Sequence, residues 1–195
     1  GSFETMRTLA PPTARGWEAV ADDEVWDWTS ELAELPTLLA EKVKAPSVIA
    51  GPTDLVIDPS NLWLTIHESI GHPLELDRIL GDERNYAGWS FIKPEDFGNL
   101  QYGSKLLNIT FDPTVPGELA SYQYDDTGAP AIRHYLIKDG VLQRGLGGVE
   151  SQTRSELPGV SSARSTSWNR APIDRMANLN LEPGSATLSD MIAAT

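Results

Sequence analysis

The sequence predicts an α+β fold: helices first, then a mainly antiparallel, barrel-like sheet. Three observations predict it. Apolar residues recur at helical spacing from Val25 to Leu39, and a second helical stretch opens at Asn61. After Gly81, Gly and Pro come every few positions and separate short β-type runs. Helices followed by strands, without regular alternation, is the α+β order. The 195 residues are enough for one domain with a real core.

The elements follow in order. Gly1-Ser2 reads as an expression scar, and residues 1–16 as tag remnant and linker; residues 17–195 are then one domain. Asp22, Asp23 and Glu24 are acids where a helix start favours them. Val25, Trp28, Leu32, Leu35 and Leu39 give the helix one apolar face; Pro36 interrupts it, and a kink or two helices meeting is expected there. Lys42 and Lys44 suit its end, and Pro46 stops it. Residues 54–57 read as a short strand. Asp58 can cap a helix with Pro59 at its first position, running to His72. Pro73 disturbs that helix, and residues 74–80 continue it until Gly81. Strands are expected within 106–111, 119–124, 131–137 and 141–146, with Asp139-Gly140 as a hairpin turn.

Composition narrows the function. The chain carries 15 Lys+Arg against 28 Asp+Glu, a net charge of −13. That balance opposes electrostatic binding to nucleic acid or anionic lipid. Zero cysteines exclude a disulfide scaffold, a thiol nucleophile and a thiolate metal site within the chain. No apolar run approaches the roughly 20 residues of a membrane span, and no signal peptide opens the chain. The expectation is a soluble, cytoplasmic protein.

Residues 67–72, His-Glu-Ser-Ile-Gly-His, carry the chemistry. Two imidazoles and a carboxylate in one helical turn are a metal-hydrolase pattern, but the histidines stand at i and i+5. An ideal α-helix places such residues roughly 140° apart. A π-type widening to about 4.4 residues per turn brings them within about 50°. Gly71 and Pro73 both weaken regular α geometry, so a distortion is expected here. Zn²⁺ on His67 and His72 would then activate water, with Glu68 as the base beside it. The residues alone leave a second reading open: His67 as a core imidazole and His72 as a helix-end cation. His134 lies in a strand pattern and reads as structural, with third ligand the minor alternative.

His67-Glu-Ser-Ile-Gly-His-Pro-Leu-Glu-Leu-Asp77 resembles the signature of the TldD/PmbA metallopeptidases, once called modulators of DNA gyrase. Tyr86-Ala-Gly88, Tyr102-Gly-Ser104, Tyr124-Asp-Asp-Thr-Gly128, Leu136-Ile-Lys-Asp-Gly-Val-Leu142, Arg175-Met-Ala-Asn-Leu179 and Glu182-Pro-Gly184 resemble further blocks of that family, in family order.

The resemblance implies zinc on His67 and His72, Glu68 as catalytic base, and hydrolysis of unfolded or extended peptides in maturation or degradation. It implies a related, motif-lacking partner subunit; a homo-oligomer is the other expected assembly. The third ligand of similar proteins is a cysteine in a later region, so it is expected outside this chain. The chain is then an excised part of a catalytic domain, lacking the family's N-terminal α/β domain and C-terminal end, and inactive alone. Pro73 departs from the smaller residues usual there. Glu75 and Asp77 match acidic family positions and are candidates to orient a ligand imidazole. Asp125 and Asp126 read as turn residues, Arg175 and Asn178 as hydrogen-bonding or substrate-contacting residues, and the six Trp as core and interface. The alternative function is a non-catalytic β module that binds peptide or partner, with structural histidines.

Overall fold

The computed structural model describes residues 4–21 and 24–195. Gly1 and Ser2, which carry the tag reading, and Asp22 and Asp23, from the expected helix start, lie outside the described residues. The chain divides into two units: residues up to 60 with 187–195, and residues 61–186.

The first unit begins with α1 (Glu18–Ala21) and α2 (Trp28–Lys44). α2 starts later than its acids suggest because Asp27 supplies the cap, accepting the Ser30 N–H at 3.0 Å. Lys42 and Lys44 fall in its last turn, and Ala45 leaves the helix in extended geometry. Pro36 stands inside α2, which remains a single helix rather than two meeting there. Leu32, whose carbonyl would lose its partner there, is exposed, so water can supply the missing bond. Residues 54–57 form no strand: Leu55, Val56 and Ile57 are exposed, and no described strand pairs with them.

α3 (Pro59–Ile66) runs across the boundary and opens as expected, with Asp58 Oδ1 accepting the Ser60 N–H at 2.8 Å. Within the second unit it passes into a π-helical turn at His67–Gly71 and a 3₁₀ turn at His72–Leu74. α4 (Leu76–Leu80) follows, ending at Gly81 with φ 90°. The helix does not resume at residue 74. Glu75 is extended, and the segment docks on Leu146 instead: Leu76 N–H donates to its carbonyl at 2.8 Å, and Leu146 N–H to the Leu74 carbonyl at 2.6 Å.

After α5 (Arg84–Ala87) come β1 (Ile109–Phe111), β2 (His134–Lys138), β3 (Val141–Leu142), α6 (Val149–Ser155), β4 (Ala163–Arg164), β5 (Ile173–Asp174) and β6 (Leu179–Leu181). Four strands form one antiparallel sheet in the order β3-β2-β1-β6, while β4 and β5 pair separately. The fold is α+β with an open sheet; no described strands close a barrel. Asp139 and Gly140 join β2 to β3 with φ of 49° and 79°, the left-handed pair of a two-residue hairpin turn. Residues 119–124 contribute one isolated bridge, Tyr124 to Pro130, rather than a strand. α7 (Leu188–Ala194) belongs to the first unit and is capped reciprocally by Thr187 and Asp190.

The core of the second unit joins Ile109, Phe111, Leu136 and Leu142 of the sheet to Ile70 and Leu74 of the π and 3₁₀ turns. Those two residues anchor the turn from below. None of the six Trp is buried in this core; Trp17, Trp63, Trp89 and Trp168 are at least half exposed. No described helix is long and apolar enough to cross a membrane.

Candidate metal centre

The i, i+5 spacing is resolved by the backbone. His72 N–H donates to the His67 carbonyl, five residues back, so the turn is widened by one residue. The two rings consequently meet edge to face, with centroids 4.5 Å apart and Nε2 atoms 2.9 Å apart. Glu68 completes the group: one ligand atom from each of His67, Glu68 and His72 lies within 4.8 Å of the others. It is the one such cluster of three among the described residues. The Glu68 side chain is 62 % exposed and lies 3.9 Å from His67 Nε2.

Three contacts hold the turn. Ile70 and Leu74 are buried in the core. The Tyr102 hydroxyl donates to the Ser69 carbonyl, to which Pro73, four residues on, has no N–H to offer. Gly71 gives Met176 room, since a Cβ at that position would fall 1.9 Å from Met176 Sδ. Gly71 has φ −57°, so it serves here by its size and not by left-handed freedom.

Below His72 lies an alternating ion network. His72 Nδ1 is 3.0 Å from Oε2 of Glu75, whose side chain is fully buried. In the tautomer in which Nδ1 donates to this carboxylate, Nε2 turns its lone pair outward. Arg78 holds the same Glu75 oxygen through Nε at 3.1 Å and reaches the Ala87 carbonyl at 2.6 Å. Arg175 lies 4.0 Å from the other Glu75 oxygen and pairs with Glu83 at 3.1 Å.

These residues fit a zinc ion. Nitrogens sharing a tetrahedral zinc stand about 3.3 Å apart, close to the 2.9 Å present between the two Nε2 atoms. A carboxylate behind the ligand imidazole is the usual support of such sites. Two imidazoles make an incomplete donor set, however, and His134 is not brought to them. It lies in β2 opposite Phe111, and burial pushes its pKa down.

The other expected residues fall elsewhere. Asp77 faces Asp174 rather than an imidazole. Each backbone N–H donates to the other's carboxylate, at 3.0 and 3.2 Å. Burial first, then the Asp174 charge, pushes the Asp77 carboxyl up to about 7. Asp125 is a turn residue, accepting from Thr127 and Ala129 and tying down Ala163. Asp126 accepts from Ser165. Asn178 braces Asp112, Ala120 and Ser121. Sequence reasoning missed Arg78 and Glu83. Their only signal is the spacing of Arg78 one helical turn after Glu75.

The cluster opens on a cleft of about 660 Å³ lined by Glu68, His72, Arg78, Trp89, Phe91 and Arg175, among others. An imidazole pair with a neighbouring carboxylate at such a cleft is the arrangement of a metal-dependent hydrolase. The chain belongs to the family described as the PmbA/TldA metallopeptidase C-terminal domain, which matches residues 50–195.

Relatives agree. A metalloprotease of Methanothermobacter thermautotrophicus is 30% identical over 177 residues, covering 91% of this chain and 36% of that protein. A zinc metalloprotease TldD homolog of Saccharolobus solfataricus is 26% identical, covering 86% of this chain and 36% of that protein. The chain thus spans about a third of the length of these relatives. Among solved structures, a Bacteroides thetaiotaomicron protein described as a proposed modulator of DNA gyrase aligns with TM-score 0.56 and 17% identity, covering 82% of this chain and 33% of that one. TldE from Thermococcus kodakarensis aligns with TM-score 0.50 and 17% identity, covering 65% and 28%. These two likenesses are of fold.

Proposed function

We propose that this chain carries part of the catalytic domain, within residues 17–195, of a zinc-dependent peptidase acting on unfolded or extended peptides, in peptide maturation or protein degradation. The observation that carries the reading is the π turn, which turns His67 Nε2 and His72 Nε2 onto one point with Glu68 beside them. His67 and His72 would hold the ion, and a third ligand comes from outside this chain. When bound, zinc supplies Lewis acidity to a peptide carbonyl and to water.

The chain's own residues do the rest. Glu75 fixes His72 in the Nδ1–H form, so that Nε2 faces the ion. Glu68 is exposed to the cleft and outside the ion network, which suits a group that exchanges protons: it takes one from the attacking water and delivers it to the leaving amine. The TldE fold likeness favours a related subunit as partner, with a homo-oligomer as the second assembly. The net charge of −13 favours neither nucleic acid nor an anionic membrane as partner, and the cytoplasm is the location this reading carries.

Glu68→Gln tests it. In the full-length protein, peptidase activity is expected to fall by a factor of about 10²–10⁴ with zinc content unchanged; retained turnover sinks the base assignment. A second reading, a peptide- or partner-binding β module with structural histidines, draws on the same 2.9 Å imidazole contact, which also fits a hydrogen-bonded pair. Metal analysis separates them, because the module needs none.

A further inference from the structure

The segment after α5 has the alternation of an extended edge. Ser90 turns inward, its hydroxyl donating to the Pro73 carbonyl at 2.6 Å, and Ile92 is buried in the core. Trp89 and Phe91 therefore turn outward, 63 % and 64 % exposed, with Tyr86 nearby at 88 %. The Ser90 bond ties this aromatic wall to the residue next to His72. All three rings line the cleft that Glu68 and His72 also line.

The charges at the base of the cleft are already engaged. Arg78 serves Glu75 and the Ala87 carbonyl, and Arg175 serves Glu83 and the Asp174 carbonyl. Arg84 lies 4.1 Å over the Trp89 ring, which remains mostly exposed. An incoming carboxylate would find Arg78 and Arg175 already paired and Arg84 stacked on the Trp89 ring. With Glu68 assigned to the attacking water, the wall left to recognise a substrate side chain is aromatic.

We propose that this cleft is a side-chain subsite of the peptidase and that it selects a bulky apolar residue, aromatic or long aliphatic, next to the bond held at Glu68 and His72. Trp89 and Phe91 are its specificity-determining residues. The inference rests on the peptidase reading of the site. Rings that exclude water around an apolar side chain gain from its burial, whereas a charged side chain would be desolvated without a partner.

The test is binding, read without hydrolysis. Ser/Gly-rich octapeptides bearing one central Phe, Leu, Ala, Asp or Lys are titrated into the metal-free chain by fluorescence polarisation. The Phe and Leu peptides are expected to bind about tenfold or more tightly than the others, and Trp89→Ala to erase that difference. Tyr86→Ala, at a side chain whose loss leaves the core untouched, is expected to weaken it and guards against a misfolded Trp89 variant. Equal binding of all five peptides, preference for Asp or Lys, or a preference unchanged in both variants overturns the subsite. The Glu68→Gln assay fails or succeeds independently of this result, so the two readings fall separately.

Discussion

At the scale of single residues, Gly71 shows what the sequence could and could not convey. Its place beside Pro73 signalled a break from α geometry, and the break is there. The reason differs, for Met176 comes from a hundred residues away to fill the space over it. Gly71→Ala is expected to cost about 1–3 kcal/mol through overpacking, read by urea denaturation. Adding Met176→Ala should make the pair cost less than the sum of the single changes; additive costs would show that the contact is unimportant. Asp77 is a second case. Its match to an acidic family position suggested an imidazole partner, while the fold gives it Asp174, with Glu83 and Glu75 also raising its pKa and Arg175 opposing them. A carboxyl at about 7 when folded and about 3.9 when unfolded keeps its proton in the folded state alone between those values. Stability therefore falls as pH rises through that window and levels above it. Asp77→Asn should flatten this slope and gain on the parent chain at pH 8; parallel denaturation curves for the two from pH 4 to 8 would contradict it.

At the scale of elements, helix signals tied to local chemistry were legible. The Asp58-Pro59 start, the Lys42/Lys44 end and the Asp139-Gly140 turn each depend on residues a few positions apart. What was illegible depended on distant partners. Residues 54–57 and 119–124 have strand composition but form no strand. β4 and β5 have two residues each, too few for any periodicity, and pair only because the chain returns. Pro36 stands inside one continuous helix, where the exposure of Leu32 lets water take up the bond that proline forfeits. The hairpin permits a graded test. Gly128 and Gly140 both have left-handed φ, 84° and 79°. A Cβ on Gly128 meets nothing within 4 Å, whereas one on Gly140 would lie 2.4 and 2.5 Å from the carbonyl oxygens of Ser104 and Gly103. Gly128→Ala should cost about 1–2 kcal/mol for the backbone alone, and Gly140→Ala about 1–3 kcal/mol beyond that. Equal midpoint shifts in urea would show that the turn relaxes around the added methyl.

At the scale of the whole molecule, one unit gathers both histidines, the network beneath them and the aromatic cleft, yet supplies two imidazoles where a catalytic zinc takes three protein ligands. The shortfall follows from the sequence itself, with no cysteine and a third histidine committed to β2. Glu68 is the remaining donor within reach, and using it as a ligand would remove the base. Glu75 cannot substitute: it is fully buried behind His72, held by Arg78 and facing Nδ1 rather than Nε2. Complete structural zinc sites reach about 10–16 kcal/mol of binding free energy, and a site missing a ligand should fall well short. Calorimetric titration of the metal-free chain with Zn²⁺ is therefore expected to give a Kd in the micromolar range or weaker, on the order of 8 kcal/mol, abolished by His72→Ala. Glu75→Gln should weaken it by a further factor of about 10–100, because the acceptor that orients His72 loses its charge. Nanomolar binding lost on His72→Ala would place the third ligand inside these 195 residues. Binding untouched by His72→Ala would remove the π turn from the metal site altogether.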